Sequence, residues 1–263
     1  MKKGFLLFML VIACCGAGKL VHFVKKGFSV RRIASSAGHR LQMQSCEIDS
    51  LLQQPFRYLG RGRQCFAFET LNGQYILKFP RTDIYQTPFW ARAFPISNRK
   101  RGQMQEMRKK REEFVVNSMQ IAYEKLREET GVIAIHFGQT EDLGQTLTLI
   151  DPLGIRYQIP AHTTAFVLQL KKPVLMQAFV KALQEGKRRK GENILDAFID
   201  LVVARGKKGI WNKDGSFLRN YGFDGIKGYQ IDIGSFYYKN SDKIGSIRDT
   251  MSPVQSWLAE TDS

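Results

Sequence analysis

An Asn-Gly pair at residues 72 and 73, set between two runs of aromatic and branched residues, constrains this chain more than any other local feature. Asn and Gly tolerate the positive φ that a tight turn demands, so the flanking runs CFAFETL and QYILKF must fold back on each other as a hairpin. A third such run, FRYLG, precedes them across Gly60-Arg61-Gly62. The pattern predicts a three-stranded antiparallel meander over residues 56–79.

Beyond the meander the chain alternates in character. A long, charged helix is expected over 99–129, with Val115, Met119, Ala122 and Leu126 at helical spacing and Gly131 as its stop. GVIAIHFG reads as a strand, LTLIDPLGIRYQI as a hairpin turning at Asp151-Pro152-Leu153-Gly154, and TAFVLQL as a further strand. After Pro173 the spacing becomes helical, over 174–186 and again over 192–205, where Ile194, Leu195, Phe198, Leu201 and Val202 form one apolar face. Strands followed mostly by helices predict an α+β fold, sheet-rich first and helical second. With 263 residues the chain can bury a full core, as one two-lobed domain or two small ones. It carries no internal repeat and no low-complexity segment.

Residues 4–18 are uncharged and apolar, the length of a signal-peptide core; continued across Lys19 to Val24, the run is just long enough to span a bilayer. Lys25, Lys26, Arg31 and Arg32 outweigh Lys2 and Lys3 on the other side, which favours an uncleaved anchor with the body of the protein in the cytoplasm. A cleaved secretory signal, or a lipoprotein box around Cys14 and Cys15, are the rival readings. Residues 1–28 are read as this anchor or signal, and 29–50 as a polar linker with a short helix near 46–52. The formal charge of +16 favours anionic partners. With an anchor upstream, the basic clusters at 99–101, 108–111, 187–190 and 205–208 point to an anionic membrane surface before nucleic acid, for which no recognition motif is present. The four cysteines and four histidines have neither disulfide-framework nor zinc-ligand spacing.

Two constellations carry candidate chemistry. In LGRGRQCFAFETLNGQYILKF, Gly60 and Gly62 let backbone amides approach an anionic group, and Lys78 emerges from within the apolar run YILKF. A lysine there needs a partner or a ligand, unless it protects a sheet edge. In GIWNKDGSFLRNYGFDGIKGYQIDIGSF, Asp214, Asn220 and Asp232 supply oxygen ligands and carboxylates of the kind phosphoryl transfer uses. Taken singly, each stretch is equally well a hairpin turn, a polar surface loop or an ordinary strand end.

Together and in this order, over roughly residues 51–240, the two stretches resemble the glycine-rich loop, lysine strand, catalytic loop and metal-binding motif of protein kinases. The resemblance implies a two-lobed protein-kinase-like fold, with a sheet-rich N-lobe at 51–172 and a reduced helical C-lobe at 173–263. It implies ATP and Mg2+ as cofactors, bound by Gly60, Gly62 and Lys78 at the phosphates and by Asn220 and Asp232 at the metal, with Asp214 as catalytic base. It also implies a helix glutamate beside Lys78, either Glu112 or Glu124. The function implied is a membrane-associated phosphotransferase moving the ATP γ-phosphate to an acceptor. The departures define the alternative. Cys65 stands where the third loop glycine belongs, Asn212 and Lys213 replace the usual histidine and arginine, and Asp214 and Asn220 are six residues apart, one more than usual. Only 29 residues follow Gly234, too few for a full activation segment. These features fit a compact phosphotransferase, or a catalytically weak kinase-like scaffold (a pseudokinase) at the membrane.

Overall fold

The computed structural model describes residues 23–33, 46–87, 97–138, 144–214, 216–239 and 243–261. The apolar run at 4–18 lies outside them; among the described residues no helix is long and apolar enough to cross a membrane. The fold is α+β, and its residues cluster into two compact units. One comprises the chain up to Asp83 together with His136–Phe166, the other Ile84–Ile135 with the chain from Val167 onward.

The first unit is built on the meander. Strands β1 (Phe56–Arg61), β2 (Cys65–Thr70) and β3 (Tyr75–Pro80) pair antiparallel in sequence order. The turn behind the prediction is held by Asn72, whose Oδ1 accepts from the Thr70 hydroxyl at 2.6 Å and the Gln74 amide at 3.1 Å, with Gly73 at φ 69°. The hairpin β5 (Thr146–Ile150) and β6 (Arg156–Pro160) adds to this sheet by a parallel β1–β5 pairing. Alternation along the meander places Phe56, Phe66, Phe68, Leu77 and Phe79 on one buried face. Phe28, from the segment expected to be anchor, fills that face. Its ring lies 5.0 Å from Phe68, 5.5 Å from Phe66 and 5.9 Å from Tyr157, mostly edge to face. Burying a ring of that size stabilises the unit by about 2–3 kcal/mol. Residues 23–33 therefore pack as part of this unit. The short helix α1 (Cys46–Leu52) forms where expected.

The second unit opens with the long helix α2 (Asn98–Lys125), which ends one turn early at Leu126 before a single turn, α3 (Arg127–Thr130). Gly131, at φ 66°, supplies the left-handed cap that the sequence indicated. Strands β4 (Val132–His136) and β7 (Phe166–Leu170) are neighbours. Helices α4 (Leu175–Gln184) and α5 (Arg188–Lys207) form a hairpin over a core of Leu175, Phe179, Ile194, Phe198 and Val202. The stretch after α5 departs from the helical expectation. It contains four three-residue strands, β8 (Ile210–Asn212), β9 (Tyr221–Phe223), β10 (Gly228–Gln230) and β11 (Phe236–Tyr238), before the last helix, α6 (Lys243–Thr261). Strand β9 pairs with β10, and β8 with β11. These strands are too short to show a period of two. Gly228 marks where β10 crosses α5, since a Cβ there would lie 2.6 Å from the Ala197 carbonyl oxygen.

Candidate functional site

Gly60, Gly62 and Lys78 belong to the first unit, and cross-strand register sets their relation. Gly60 is the partner of Ala67 on β2, and Ala67 is the partner of Lys78 on β3. Paired residues in an antiparallel sheet share a face, so Lys78 leaves on the face of Ala67 and Gly60, opposite the phenylalanine core. A bulge between Tyr58 and Gly60 makes this possible. Without the extra residue, Gly60 would fall on the core face with Phe66 and Phe68. Among the described residues, a Cβ on Gly60 would meet nothing within 4 Å, so the glycine opens on free surface. Gly62 differs. Its amide closes the turn by donating to the Cys65 carbonyl at 2.8 Å, and the Arg81 guanidinium donates to the Arg63 carbonyl at 3.4 Å.

Asp214, Asn220 and Asp232 belong to the second unit, and there the structure brings them together. Asp214 follows β8; Asn220 immediately precedes β9; Asp232 lies in the connection from β10 to β11, beyond the strand end expected for IDIG. The Asn220 carbonyl accepts from the Ile231 amide at 2.8 Å and the Asp232 amide at 3.4 Å, while its Nδ2 donates to the Asp214 carbonyl at 3.2 Å. A carbonyl can only accept, so this bond fixes the amide and leaves Asn220 Oδ1 as an acceptor. The Asp214 amide is held in turn by Asn212 Oδ1 at 3.0 Å. Behind the loops, the buried Arg205 guanidinium donates to Gln230 Oε1 and, at 2.7 Å, to the Thr250 hydroxyl. The far side of the Gln230 amide donates to the Asn220 carbonyl at 3.5 Å. Sequence reading missed this support, because Arg205 reads as part of a basic surface cluster.

The charge balance of these acids is unusual. Four aspartates among the described residues are at least partly buried: Asp83, Asp151, Asp214 and Asp232. Asp83 pairs with Arg81 at 2.9 Å and Asp151 with Lys25 at 3.2 Å. Asp214 and Asp232 have no cationic partner among the described residues, in a chain of net charge +16. Among the described residues their side chains accept from nearby backbone, Asp214 from the Ser216 amide at 3.2 Å and Asp232 from the Gly234 amide at 3.3 Å. A partly desolvated carboxylate without a counter-charge is unfavourable unless a cation completes it. Asp232 and Asn220 Oδ1 are oxygen donors of the kind that could serve a hard divalent cation such as Mg2+, which takes one or two carboxylates and fills its shell with phosphate oxygens and water. No group of three or more His, Cys, Asp or Glu that could hold a metal is found among the described residues. Of the two helix glutamates, Glu112 is half-buried, while Glu124 is exposed and accepts from Gln120 at 2.7 Å.

No family model and no curated protein matches the chain. Among solved structures it is similar to WbdD, with a TM-score of 0.38 and 18% identity over 74% of this chain and 34% of that one. A structure of WbdD as a bifunctional kinase-methyltransferase gives 0.35 and 18%, and WbdD with a kinase inhibitor gives 0.37 and 17%. The chain spans about a third of the length of these structures. A likeness of that depth assigns no residue of this chain a role.

Proposed function

We propose that the chain is a kinase-like phosphotransferase that binds ATP with Mg2+ and moves the γ-phosphoryl group to an acceptor hydroxyl. The observation that carries this reading is the loop cluster of Asp214, Asn220 and Asp232, whose two carboxylates lack a protein cation among the described residues. Asp232 and Asn220 Oδ1 would hold the metal, which neutralises charge on the transferring phosphates. Asp214 would orient the acceptor hydroxyl and receive its proton. Gly60 and Lys78 would meet the phosphates, and one of Glu112 and Glu124 would orient the lysine, with Glu112 favoured because Glu124 is exposed. A membrane location, through the apolar run at 4–18, belongs to the same proposal and rests on sequence alone.

One observation favours the scaffold reading. The Gly62 amide is already committed to Cys65 at 2.8 Å, so it is one donor fewer for a phosphate. Thermal-shift titration of the full chain with ATP and Mg2+, beside Lys78→Ala and Asp232→Ala, separates the two. The expected result is a metal-dependent rise in Tm that disappears in both variants. No rise in a folded wild-type sample would overturn nucleotide binding; a rise without phosphate release or transfer would favour the scaffold.

A further inference from the structure

We propose that Ser118 is a positioning residue for both acids of the loop cluster. The linkage itself is independent of the phosphotransferase reading; what the acids then do rests on that reading. Ser118 is fully buried on α2, in the stripe otherwise formed by Val115, Met119 and Ala122. A serine inside a helix normally turns back to a carbonyl of its own preceding turn. Here the hydroxyl leaves the helix. Its proton goes to the Ile233 carbonyl at 2.6 Å, and its oxygen accepts from the Phe236 amide at 2.6 Å.

Each bond leads to one acid. The Ile233 carbonyl shares its peptide with the Gly234 amide, which donates to Asp232 Oδ1 at 3.3 Å, so the first bond fixes the peptide that holds the Asp232 side chain. Phe236 is the register partner of Asn212, and Asn212 Oδ1 holds the Asp214 amide at 3.0 Å. The Lys213 amide donates to the Ser235 carbonyl at 2.9 Å, which ties the same two chain segments once more. One hydroxyl therefore stands behind both carboxylates, with its single proton and an acceptor site both in use. The neighbouring contact, Phe114 against Tyr237 with ring centroids 6.5 Å apart, packs α2 on β11 but makes no hydrogen bond that could set the loop. An alanine at 118 would suit a helix stripe better and would leave the Ile233 carbonyl and Phe236 amide buried without partners.

The test uses the full chain, with Ser118→Ala, Ser118→Thr and a control core truncation, Val254→Ala, at a buried position of α6. Hydrogen exchange at the Phe236 amide in the unliganded protein should accelerate at least roughly tenfold in Ser118→Ala relative to Val254→Ala. With ATP present, the Mg2+ concentration giving half the thermal shift should rise roughly tenfold in Ser118→Ala, as outer supports of metal ligands commonly produce. It should return toward wild type in Ser118→Thr, which keeps the hydroxyl. Val254→Ala should lower Tm without moving that midpoint. Equal exchange in Ser118→Ala and Val254→Ala, or a midpoint moved no more by one than by the other, overturns the proposal. If wild type shows no metal-dependent shift, the phosphotransferase reading fails and the exchange rates still decide the linkage. Should Ser118→Ala not fold, Ser118→Cys, which keeps the volume with only a weak donor, replaces it in both measurements.

Discussion

Ile150-Asp151 and Ile231-Asp232 look alike in sequence, each an apolar approach to an aspartate with a glycine two or three residues beyond. Their surroundings are opposite. Asp151 Oδ1 accepts from the Leu153 and Ile155 amides, both at 2.9 Å, and Oδ2 meets the Tyr157 hydroxyl at 3.1 Å and Lys25 at 3.2 Å. Burial works to raise that carboxyl's pKa, but the Ile155 amide, Lys25 and the other donors outweigh it and hold it below the ordinary range. Asp232 has a single long backbone bond, from the Gly234 amide, and no cation among the described residues. A saturated aspartate is structural, tying residues 23–33 to the β5–β6 turn. An unsaturated one has room for the metal that the proposed function assigns to Asp232.

The largest effect that could break this contrast is on chemistry. Under the proposed function, Asp232→Asn should reduce phosphoryl transfer roughly a thousandfold, the several kcal/mol that a charge-stabilising metal supplies. Its unliganded stability should stay within about 0.5 kcal/mol of wild type, because no ion pair is lost. Steady-state transfer assays and urea unfolding read the two quantities. A strongly destabilised Asp232→Asn would make this aspartate structural as well, and the contrast would collapse.

Asp151→Asn should do the reverse. Nucleotide response should be unchanged, while stability drops by about 2–3 kcal/mol, since Lys25 loses its partner at a buried carboxylate. The pH dependence sharpens this. A carboxyl whose folded pKa is depressed contributes its full stability above the unfolded value, near 3.9, and loses it as pH falls through the folded value. The wild-type advantage over Asp151→Asn should therefore be flat from about pH 5 to about pH 9 and shrink below about pH 4. At the other end, the Tyr157 hydroxyl and Asp151 raise the Lys25 pKa against the opposing cost of burial. The lysine's share is present below about 10.4 and is lost as pH rises through its raised value. Thermal unfolding of both proteins at pH 7, 5, 3 and 2 measures the acid limb; an advantage that persists undiminished at pH 2 would show that Asp151 acts through shape and not charge.

Much of the scaffold was legible because local chemistry decides it. The Asn72-Gly73 turn, the Gly131 cap and the Asp151 turn are each fixed within a few residues, and the elements around them fall where periodicity puts them. The sequence offered Asp214, Asn220 and Asp232 by residue type and order, and in the structure Asn220 is joined to both aspartates by bonds of 3.2 and 3.4 Å. What could not be read is long-range. The bulge that brings Gly60 onto the face of Lys78 depends on register with β2. The docking of Phe28 depends on a pocket formed by strands well downstream of it. The role of Ser118 depends on a loop 115 residues away, whose Ile233 carbonyl accepts its proton.

The smallest effect probes how deep the saturation of Asp151 runs. Tyr157→Phe removes one hydroxyl that accepts from Lys25 at 2.7 Å and donates to Asp151 Oδ2 at 3.1 Å. The ring remains, so its edge contact with Phe28 and its position under the Lys25 ammonium, 5.4 Å from the centroid, are preserved. Two backbone amides and Lys25 still serve the carboxylate, so the loss should be only that of an ordinary hydrogen bond, about 1 kcal/mol. For a domain of this size that corresponds to a fall in Tm of about 2–4 °C. In a double-mutant cycle with Asp151→Asn, the two changes should be strongly non-additive, because the tyrosine hydroxyl is worth little once the carboxylate is gone. Additivity would mean that the hydroxyl stabilises the unit through Lys25 alone. The saturation of Asp151 would then rest on the lysine and two amides, leaving its contrast with Asp232 resting chiefly on one ion pair.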